Sequence, residues 1–217
     1  MTPQPARSAP QGLTLEGRYT RLEPIARHHA PDLFAVANLP GGPERFRWLF
    51  SEAPSSLAAA EAWIDQVNAG QDRYVAVLDK ASGRAVGQQA WMRIRPEHGS
   101  IEIGGVYWGL PMARSRLATE ALYLFARHAF DDLGYRRFEW KCNNGNEPSK
   151  AAATRFGFTY EGLFRQDMIV KGQSRDTAWF SMLDSEWPAL RSEYERWLSP
   201  DNFDASGGQK TRLATRG

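Results

Sequence analysis

The sequence predicts a mixed α/β (α+β) protein whose central sheet is mainly antiparallel and has about seven strands flanked by helices. Two pairs of apolar segments are each separated by a short polar turn, at residues 80–83 and 171–174, which is typical of β-hairpins. A long helical segment at 117–133 lies between two further predicted strands, and a connection through a helix gives parallel pairing. The order of strands and helices therefore favours one layered domain with a single parallel step.

The length and composition are those of one globular domain. The chain has 217 residues, of which 42% are hydrophobic and 24% are charged, so it has ample material for a core. We expect the domain to cover residues 13–198. The flanking segments, 1–12 and 199–217, have little apolar periodicity, and we predict a flexible N-terminus and a disordered tail.

Charge and cysteine content exclude several classes of protein. The 27 basic and 25 acidic residues give a net charge of +2, which is too even for binding nucleic acid through bulk electrostatics. The single cysteine, Cys142, excludes an intramolecular disulfide and favours a reducing, cytoplasmic location. We find no signal-peptide core and no apolar run of the roughly 20 residues that a membrane span needs. The four histidines and one cysteine lack metal-ligand spacing. We therefore expect no metal, nucleic-acid or membrane partner.

The first half of the chain alternates strands with helices. Ser55 or Ser56 can cap the second of two predicted helices, and Gly70 can end it. Gly104 and Gly105 lie in the middle of a predicted strand and indicate a bulge or a close backbone approach. Strands are predicted at 13–25 (as one or two strands), 73–79, 85–94 and 100–108, and helices at 28–39 and 55–70.

The second half contains the long helix and a second hairpin. Leu117, Ala121, Leu124 and Phe125 recur with helical spacing, and Pro188 belongs in the first turn of the last helix. The late strand at 176–183 looks exposed and could pair across a homodimer. Helices are predicted at 117–133, 147–156 and 184–198, and strands at 136–142, 158–170 and 176–183.

The segment "VYWGLPMARSRLATEAL" places two arginines where an apolar strand gives way to a helix. The first turn of a helix has free N–H donors and the positive end of the macrodipole, so Arg114 and Arg116 are misplaced there unless an anion binds. A strand, a loop and a helix N-terminus together suit a phosphate or pyrophosphate. The loop has neither the Gly-Lys-Ser/Thr of a Walker loop nor a G-x-G-x-x-G fingerprint.

Several segments in order resemble the GNAT superfamily of N-acetyltransferases, and more closely its RimJ/RimL-like branch. "LEGRYTRLEPI" resembles the opening strands, and "IEIGGVYW" with "ARSRLATEAL" resembles the acetyl-CoA strand and pyrophosphate loop. "LGYRRFEWKCNNGNEPSKAAATRFGFTYEGLFR" resembles the Asn-x-x-Ser and Gly-Phe-x-x-Glu-Gly pattern, and "RDTAWFSML" a late strand. The resemblance covers about residues 13–198, and its specificity comes from the ordered set.

The resemblance implies acetyl-CoA as co-substrate and assigns the residues that would bind it. The backbone of Val106 and Trp108 would pair with the pantetheine arm. Asn146 would contact the pantetheine or hold the following helix, and Ser149 would face the thioester sulfur as general acid or would only cap that helix. Backbone N–H donors to the pyrophosphate would come from Arg114, Ser115, Arg116, Leu117, Ala118 and Thr119. Arg116 and Ala113 depart from the family pattern, which has Gly and Gln/Arg at these places.

Acyl transfer to an amine also needs a base, and here the resemblance is incomplete. Met168 stands where RimL-like enzymes have a proposed glutamate base. Glu102 and Glu161 remain as equally ranked candidates, with Asp167 as a further carboxylate. Phe46 and Trp48 are expected to line the acceptor cleft.

The function predicted is acetyl-CoA-dependent transfer of an acetyl group directly to a primary amine, either a protein N-terminus or a small molecule. The alternative is a CoA-binding sensor or scaffold that lacks catalysis, which the methionine at 168 suggests. A ribosome-associated or nucleic-acid-binding module is a third hypothesis, and the near-neutral charge argues against it.

Overall fold

Eight strands of the described residues form one sheet, in a computed structural model that describes residues 4–12 and 14–215. The predicted fold class is confirmed, with eight strands where about seven were expected. The strands are β1 (Leu15–Glu16), β2 (Thr20–Pro24), β3 (Arg73–Asp79), β4 (Arg84–Arg95), β5 (Ser100–Trp108), β6 (Arg137–Asn143), β7 (Thr159–Val170) and β8 (Gln173–Leu183). The helices are α1 (Ala30–Ala37), α2 (Leu57–Asn68), α3 (Arg116–Arg127), α4 (Glu147–Arg155) and α5 (Trp187–Leu198).

The strand order is β1-β2-β3-β4-β5-β6-β8-β7, and β5 with β6 is the one parallel pair among these strands. The helix α3 joins β5 to β6, as the sequence predicts. The parallel pairing extends only over Ser100–Ile103 of β5 and Arg137–Trp140 of β6. Beyond these residues the two strands are no longer paired, so the sheet opens in its centre.

A bulge in β5 lies where the sheet opens. The β4–β5 register shifts between Gln88 and Ala90, opposite Gly104 to Tyr107. Gly105 adopts a left-handed φ of 57°, and a Cβ on it would lie 2.6 Å from the Tyr74 ring. Glycine is required at position 105 because both the backbone conformation and the space exclude a side chain. The predicted bulge at Gly104–Gly105 is confirmed.

Helices cover both faces of the sheet. On one face α3 and α5 pack on the main core, where the rings of Trp91 and Phe125 stack at a centroid distance of 3.7 Å. On the other face α1 and α2 enclose a smaller core that contains Leu33 and Ile64. The two cores fix the sheet between helical layers.

The carboxylate of Glu120 ties α3 to the turn between β1 and β2. It is buried and accepts hydrogen bonds from the backbone N–H groups of Arg18 (2.7 Å), Tyr19 (2.7 Å) and Thr20 (2.6 Å), and from the Thr20 hydroxyl (2.9 Å). These bonds hold the turn that divides the predicted strand region 13–25 into two strands. A buried carboxylate with four donors is stable because its lone pairs are satisfied.

The end of α3 differs from the predicted continuous helix at 117–133. Regular helix runs from Arg116 to Arg127, and a π-helical turn follows over His128–Asp132. The His128 ring nitrogen Nδ1 lies 2.8 Å from the Asp132 carboxylate within this turn. The N–H of Leu133 donates to the carbonyl of His128, a wider i−5 bond that ends the helix.

The described part of the tail, residues 199–215, packs on the domain, and the disorder predicted for 199–217 stays a prediction. Phe203 is 8% exposed and packs edge-on against the rings of Trp197 (5.1 Å) and Tyr19 (5.9 Å). The side chain of Asn202 donates to the carbonyl of Trp197 (2.9 Å) and accepts from the N–H of Thr211 (2.9 Å). One buried aromatic ring and one buried amide suffice to fold the described part of the tail back on the domain. Residues 216–217 lie outside the described residues.

Part of the N-terminal segment also contacts the domain. The N–H groups of Ala6 and Arg7 donate to the carbonyls of Pro96 and Leu133, each at 2.8 Å, and Ala6 is buried. These bonds attach residues 6–7 to the body of the protein, and the flexibility predicted for 1–12 stays a prediction. Residues 1–3 and Leu13 lie outside the described residues.

The strand proposed for dimer pairing is internal to the sheet. β8 contains residues 176–183 and lies between β6 and β7, paired antiparallel with both. Its backbone groups are therefore already used on both sides, and the prediction that it could pair across a dimer is wrong. The strand at this edge of the sheet is β7.

Candidate active site

The opening between β5 and β6 is the centre of the candidate site. From Gly104 to Trp108, β5 keeps its pairing with β4 but has no ladder partner on the β6 side among the described residues. The Trp108 indole N–H donates to the Gln89 side-chain oxygen at 2.9 Å, and the Gln89 amide donates to the carbonyl of Ala121 in α3 at 3.1 Å. This chain of bonds holds the end of β5 against α3. Val106 and Trp108 thus lie where an extended ligand can add to the strand.

The loop from β5 to α3 ends in a capped helix N-terminus. The Ser115 side chain is the N-cap, since its oxygen accepts from the N–H of Leu117 at 3.2 Å and its hydroxyl donates to the carbonyl of Met112 at 2.9 Å. The N–H groups of Arg116 and Ala118 lie in the first turn, where a helix offers them no carbonyl partner. The structure thus provides an N–H cradle at the predicted position.

The left-handed position of this loop is Arg114, with φ of 55°. Arg116, which stands at the family's usual glycine place, is instead the first residue of α3 and needs no glycine. The Arg116 guanidinium lies 4.0 Å from the centroid of the Tyr19 ring and 5.3 Å from that of Phe203. The charge of Arg116 is therefore stacked between the β1–β2 turn and the tail.

The other wall of the opening is formed by α4. The Asn146 side chain caps this helix by accepting from the N–H of Ser149 at 3.2 Å. Of the two roles predicted for Asn146, holding the helix is the one its contacts show. Ser149 is not the N-cap. Its Oγ accepts from the Trp140 indole N–H at 3.0 Å, so its hydroxyl proton remains available to another acceptor.

Cys142 lies beside Ser149 and shares the same cavity. Burial raises the pKa of the Cys142 thiol, and the hydrogen bond with Ser149 opposes this effect only in part. A buried thiol of raised pKa is mostly protonated at neutral pH and is a poor nucleophile. Cys142 is therefore a small buried residue of β6.

Glu102 lies on β5 and is 4% exposed. One of its carboxylate oxygens is 2.9 Å from the Lys141 ammonium on β6 and 3.7 Å from the Arg93 Nε on β4. Burial raises the pKa of Glu102 to about 7, although Lys141 and Arg93 lower it. A carboxylate poised near neutral pH is suited to accept a proton.

Glu161, which the sequence ranks equally with Glu102, occupies a different place. The Arg137 guanidinium donates to both of its carboxylate oxygens, at 2.7 and 2.6 Å, and the Ser181 hydroxyl donates at 2.7 Å. These bonds, the arginine first, lower the pKa of Glu161. Glu161 and Asp167 line a shallow surface depression away from the main cavity. The structure therefore does not bring Glu161 together with the other predicted catalytic residues.

Four of the remaining predicted residues line a cavity of about 520 Å³, whereas Trp108 and residues 114–119 lie outside its lining. Glu102, Val106, Asn146 and Ser149 all line it, as does Met168 at the place of the family's proposed base. The sequence did not single out Lys141 or Arg175, which also line it. Both lie on strands as isolated basic residues, and only the register of the sheet brings them to the cavity.

The irregular segment before α2 covers this cavity. Trp48 lines the cavity as predicted, whereas Phe46 is buried and stacks on Tyr107 at a centroid distance of 4.3 Å. Lys171, in the β7–β8 turn, donates to the carbonyls of Phe46 (3.0 Å) and Ser51 (3.1 Å). Lys171 therefore fastens the covering segment to the hairpin on the other side.

Another polar group, distant in sequence from this cavity's lining, is formed by Glu23, His28 and His29, whose ligand atoms lie within 4.8 Å of one another. The sequence spacing had not indicated this grouping. The Nδ1 of His29 accepts from the N–H of Ala26 at 3.0 Å, and its Nε2 lies 2.9 Å from the Glu23 carboxylate. Hydrogen bonds that cap the turn before α1 thus account for the arrangement.

The site thus combines a split sheet with a helix N-terminus on one side and a carboxylate-containing cavity on the other. Comparison with known proteins identifies the family. The family model described as an acetyltransferase (GNAT) domain matches residues 20–159. Since this is more than half of the chain, the protein belongs to the GNAT acetyltransferase family and is an acyltransferase.

Solved structures and named relatives agree. A GCN5-related N-acetyltransferase from Brucella melitensis is 51% identical, with a TM-score of 0.94, over 97% of this chain and 96% of that chain. A GNAT-family acetyltransferase from Chromobacterium violaceum is 37% identical, with a TM-score of 0.78, over 87% of this chain and 96% of that chain. YdaF of Bacillus subtilis, whose name describes a ribosomal N-acetyltransferase, is 28% identical over 65% of this chain and 79% of its own length. The resemblance to the GNAT superfamily is confirmed.

Within the part of the chain that the structure describes, no helix combines the length and apolar character needed to cross a lipid bilayer.

Proposed function

We propose that this acetyltransferase uses acetyl-CoA and transfers the acetyl group directly to a primary amine of a small molecule or a protein N-terminus. One observation carries the proposal: β5 leaves β6 after Ile103 and runs on toward the capped N-terminus of α3, and Glu102, Val106 and Ser149 line one cavity at this opening. A cytoplasmic location belongs to the same proposal and rests on the single cysteine.

The residues present fit a CoA thioester. The unpaired side of β5 from Gly104 to Trp108 offers backbone groups to the amide-containing pantetheine arm. The N–H groups of Arg116 and Ala118 and the positive end of α3 suit a pyrophosphate. When bound, acetyl-CoA supplies the activated acyl group.

Glu102 is the group we assign as base. A free amine attacks the carbonyl carbon, a C–N bond forms and the C–S bond breaks. Glu102 accepts the proton that the amine loses, directly or through a water. Lys141 holds the carboxylate in place at 2.9 Å and limits the rise of its pKa.

Ser149 is the group we assign as acid. The Trp140 indole N–H occupies a lone pair of Ser149 Oγ, so the serine hydroxyl acts as a donor, and in the free protein it faces Cys142. With substrate bound, this hydroxyl would donate its proton to the leaving sulfur, and the serine would regain a proton from water. Much of the rate comes from holding both substrates in the cleft, since binding makes the reaction effectively intramolecular.

The test combines binding with turnover. Isothermal titration of the full chain with acetyl-CoA and CoA is expected to show binding, and a thiol-release assay with amino acids, peptides, polyamines and aminoglycosides is expected to show turnover. No CoA binding at millimolar concentration contradicts the proposal. Binding without turnover of any amine favours a CoA sensor, the candidate that Met168 in the cavity suggests.

A further inference from the structure

Arg175 is a buried arginine that has no carboxylate partner among the described residues. It lies on β8, is 7% exposed and lines the main cavity beside Cys142 and Glu102. Among the described residues its guanidinium forms no ion pair, and its buried Nε has no hydrogen-bond acceptor. The guanidinium carbon lies 5.3 Å from the centroid of the Phe50 ring.

This isolation is unusual for a charge inside a protein. Removing a cation from water is costly unless an opposite charge or several acceptors replace the water. Burial lowers the pKa of Arg175, and Cys142, Asp167 and Glu102 offset that effect only in part. A cation–π contact with the largely exposed Phe50 is a weak substitute for a carboxylate.

Three other cations in or near the cavity are paired with carboxylates. Lys141 has the Glu102 carboxylate at 2.9 Å, and Lys171 has the Glu52 carboxylate at 3.0 Å. Arg93 lies 3.3 Å from the Glu139 carboxylate. Arg175 differs from these three cations. Each of them has a carboxylate beside it, whereas the Arg175 side chain lines the open cavity.

We infer that Arg175 binds an oxyanion carried by the acceptor, so that the preferred acceptors are small amines bearing a carboxylate or a phosphate. The inference rests on the proposed function and deepens it by naming the substrate class. The planar guanidinium can form two parallel hydrogen bonds with either oxyanion. Glu102 then interacts with the amine of the acceptor, and Arg175 binds the anionic group at its other end. Arg175 takes no part in bond formation.

The test uses pairs of acceptors that differ in the anionic group. The kcat/KM for thiol release is measured with an amino acid and its amide, and with phosphoethanolamine and ethanolamine. Both pairs are assayed on the wild type, on Arg175→Gln and on Arg165→Gln, a matched change at an exposed arginine on β7. Dividing the anionic by the neutral value within each enzyme, and then comparing enzymes, cancels the intrinsic reactivity of the amines.

We expect the ratio for at least one pair to fall about 10- to 100-fold in Arg175→Gln, which is the range for a hydrogen bond to a charged group. The ratio in Arg165→Gln should match the wild type, and Arg175→Lys should lie between. The pair that responds identifies the oxyanion as carboxylate or phosphate.

An unchanged ratio in Arg175→Gln overturns the inference while thiol release still upholds the proposed function. An equal loss for both members of each pair, with a lower melting temperature, also overturns it, because it shows a structural role. If the wild type releases no thiol with any amine, the proposed function fails. Titration of the same anionic compounds then decides the role of Arg175: weaker binding to Arg175→Gln supports the inference, and equal binding overturns it.

Discussion

The two sides of the opening between β5 and β6 are built from different chemical groups. On the α3 side the groups that we propose for ligand binding are backbone N–H and C=O groups, presented by an unpaired strand and by the first turn of a capped helix. On the cavity side they are side chains from separate strands, among them Glu102, Lys141 and Arg175. A backbone-built site depends on local conformation, whereas a side-chain-built site depends on sheet register.

The difference predicts how the two sides respond to substitution. Side chains on the α3 side can vary as long as the strand, loop and helix keep their conformation, so Arg116 is tolerated at a glycine place. On the cavity side the proposed chemistry depends on particular side-chain groups, such as the carboxylate of Glu102. The following changes test this contrast.

The largest effect is expected from Glu102→Gln. An amide cannot accept the amine proton, and kcat should fall about 10²- to 10³-fold, within the usual range for a general base. Acetyl-CoA affinity should stay unchanged, because the carboxylate lies on the cavity side. Steady-state kinetics and isothermal titration check the two halves of this prediction.

Glu161→Gln is the matched control, since it makes the same change on the same sheet outside the cavity. It should leave kcat within about 3-fold, and a greater loss would return Glu161 to the list of catalytic groups. In the wild type, kcat/KM should rise with pH through about 7 as Glu102 loses its proton, and should fall as the pH drops below that value. A profile in Glu102→Gln with the same inflection would contradict the assignment.

Ser149→Ala is expected to have the next largest effect. Without the hydroxyl the leaving sulfur must take its proton from water, and kcat should fall about 10- to 100-fold. Because Asn146 caps α4, the alanine variant should keep its melting temperature within a few degrees. Asn146→Ala should do the opposite, costing about 1 kcal/mol of stability through the lost cap. A Ser149→Ala enzyme with normal kcat would leave Ser149 as a packing residue.

The α3 side of the opening could be predicted from the sequence because the residues that form it lie close together in the chain. The strand ending at Trp108, the glycines at 104 and 105 and the helix after Ser115 lie within one short stretch, and all have the predicted conformation. The hairpins and the parallel step were equally visible, since turns and a connecting helix carry their own sequence patterns.

The cavity side could not be reached in the same way. Glu102 and Glu161 both lie on strands and cannot be told apart from their local sequence. Glu102 is buried because β5 is a central strand, whereas Glu161 lies on the edge strand β7, where Arg137 binds its carboxylate. The contacts of the tail could not be predicted for a related reason. Its composition is polar, but Phe203 packs against Tyr19 and Trp197. No local sequence pattern predicts these contacts.

The smallest effect on binding is expected from Arg116→Gly. If backbone N–H groups provide most of the interaction with the pyrophosphate, acetyl-CoA affinity should stay within about 3-fold of the wild type. Stability should fall by about 1–2 kcal/mol, because glycine weakens a helix and the cation–π contact with Tyr19 is lost.

Arg114→Gly is the companion change in the same loop. Its φ of 55° suits glycine, so stability should hold or rise by up to about 1 kcal/mol while a similar charge is removed. Chemical denaturation and isothermal titration on both variants separate the effects. A loss of affinity above about 10-fold in Arg116→Gly alone would show that this guanidinium leaves Tyr19 to bind phosphate. The α3 side would then depend on a side chain as the cavity side does.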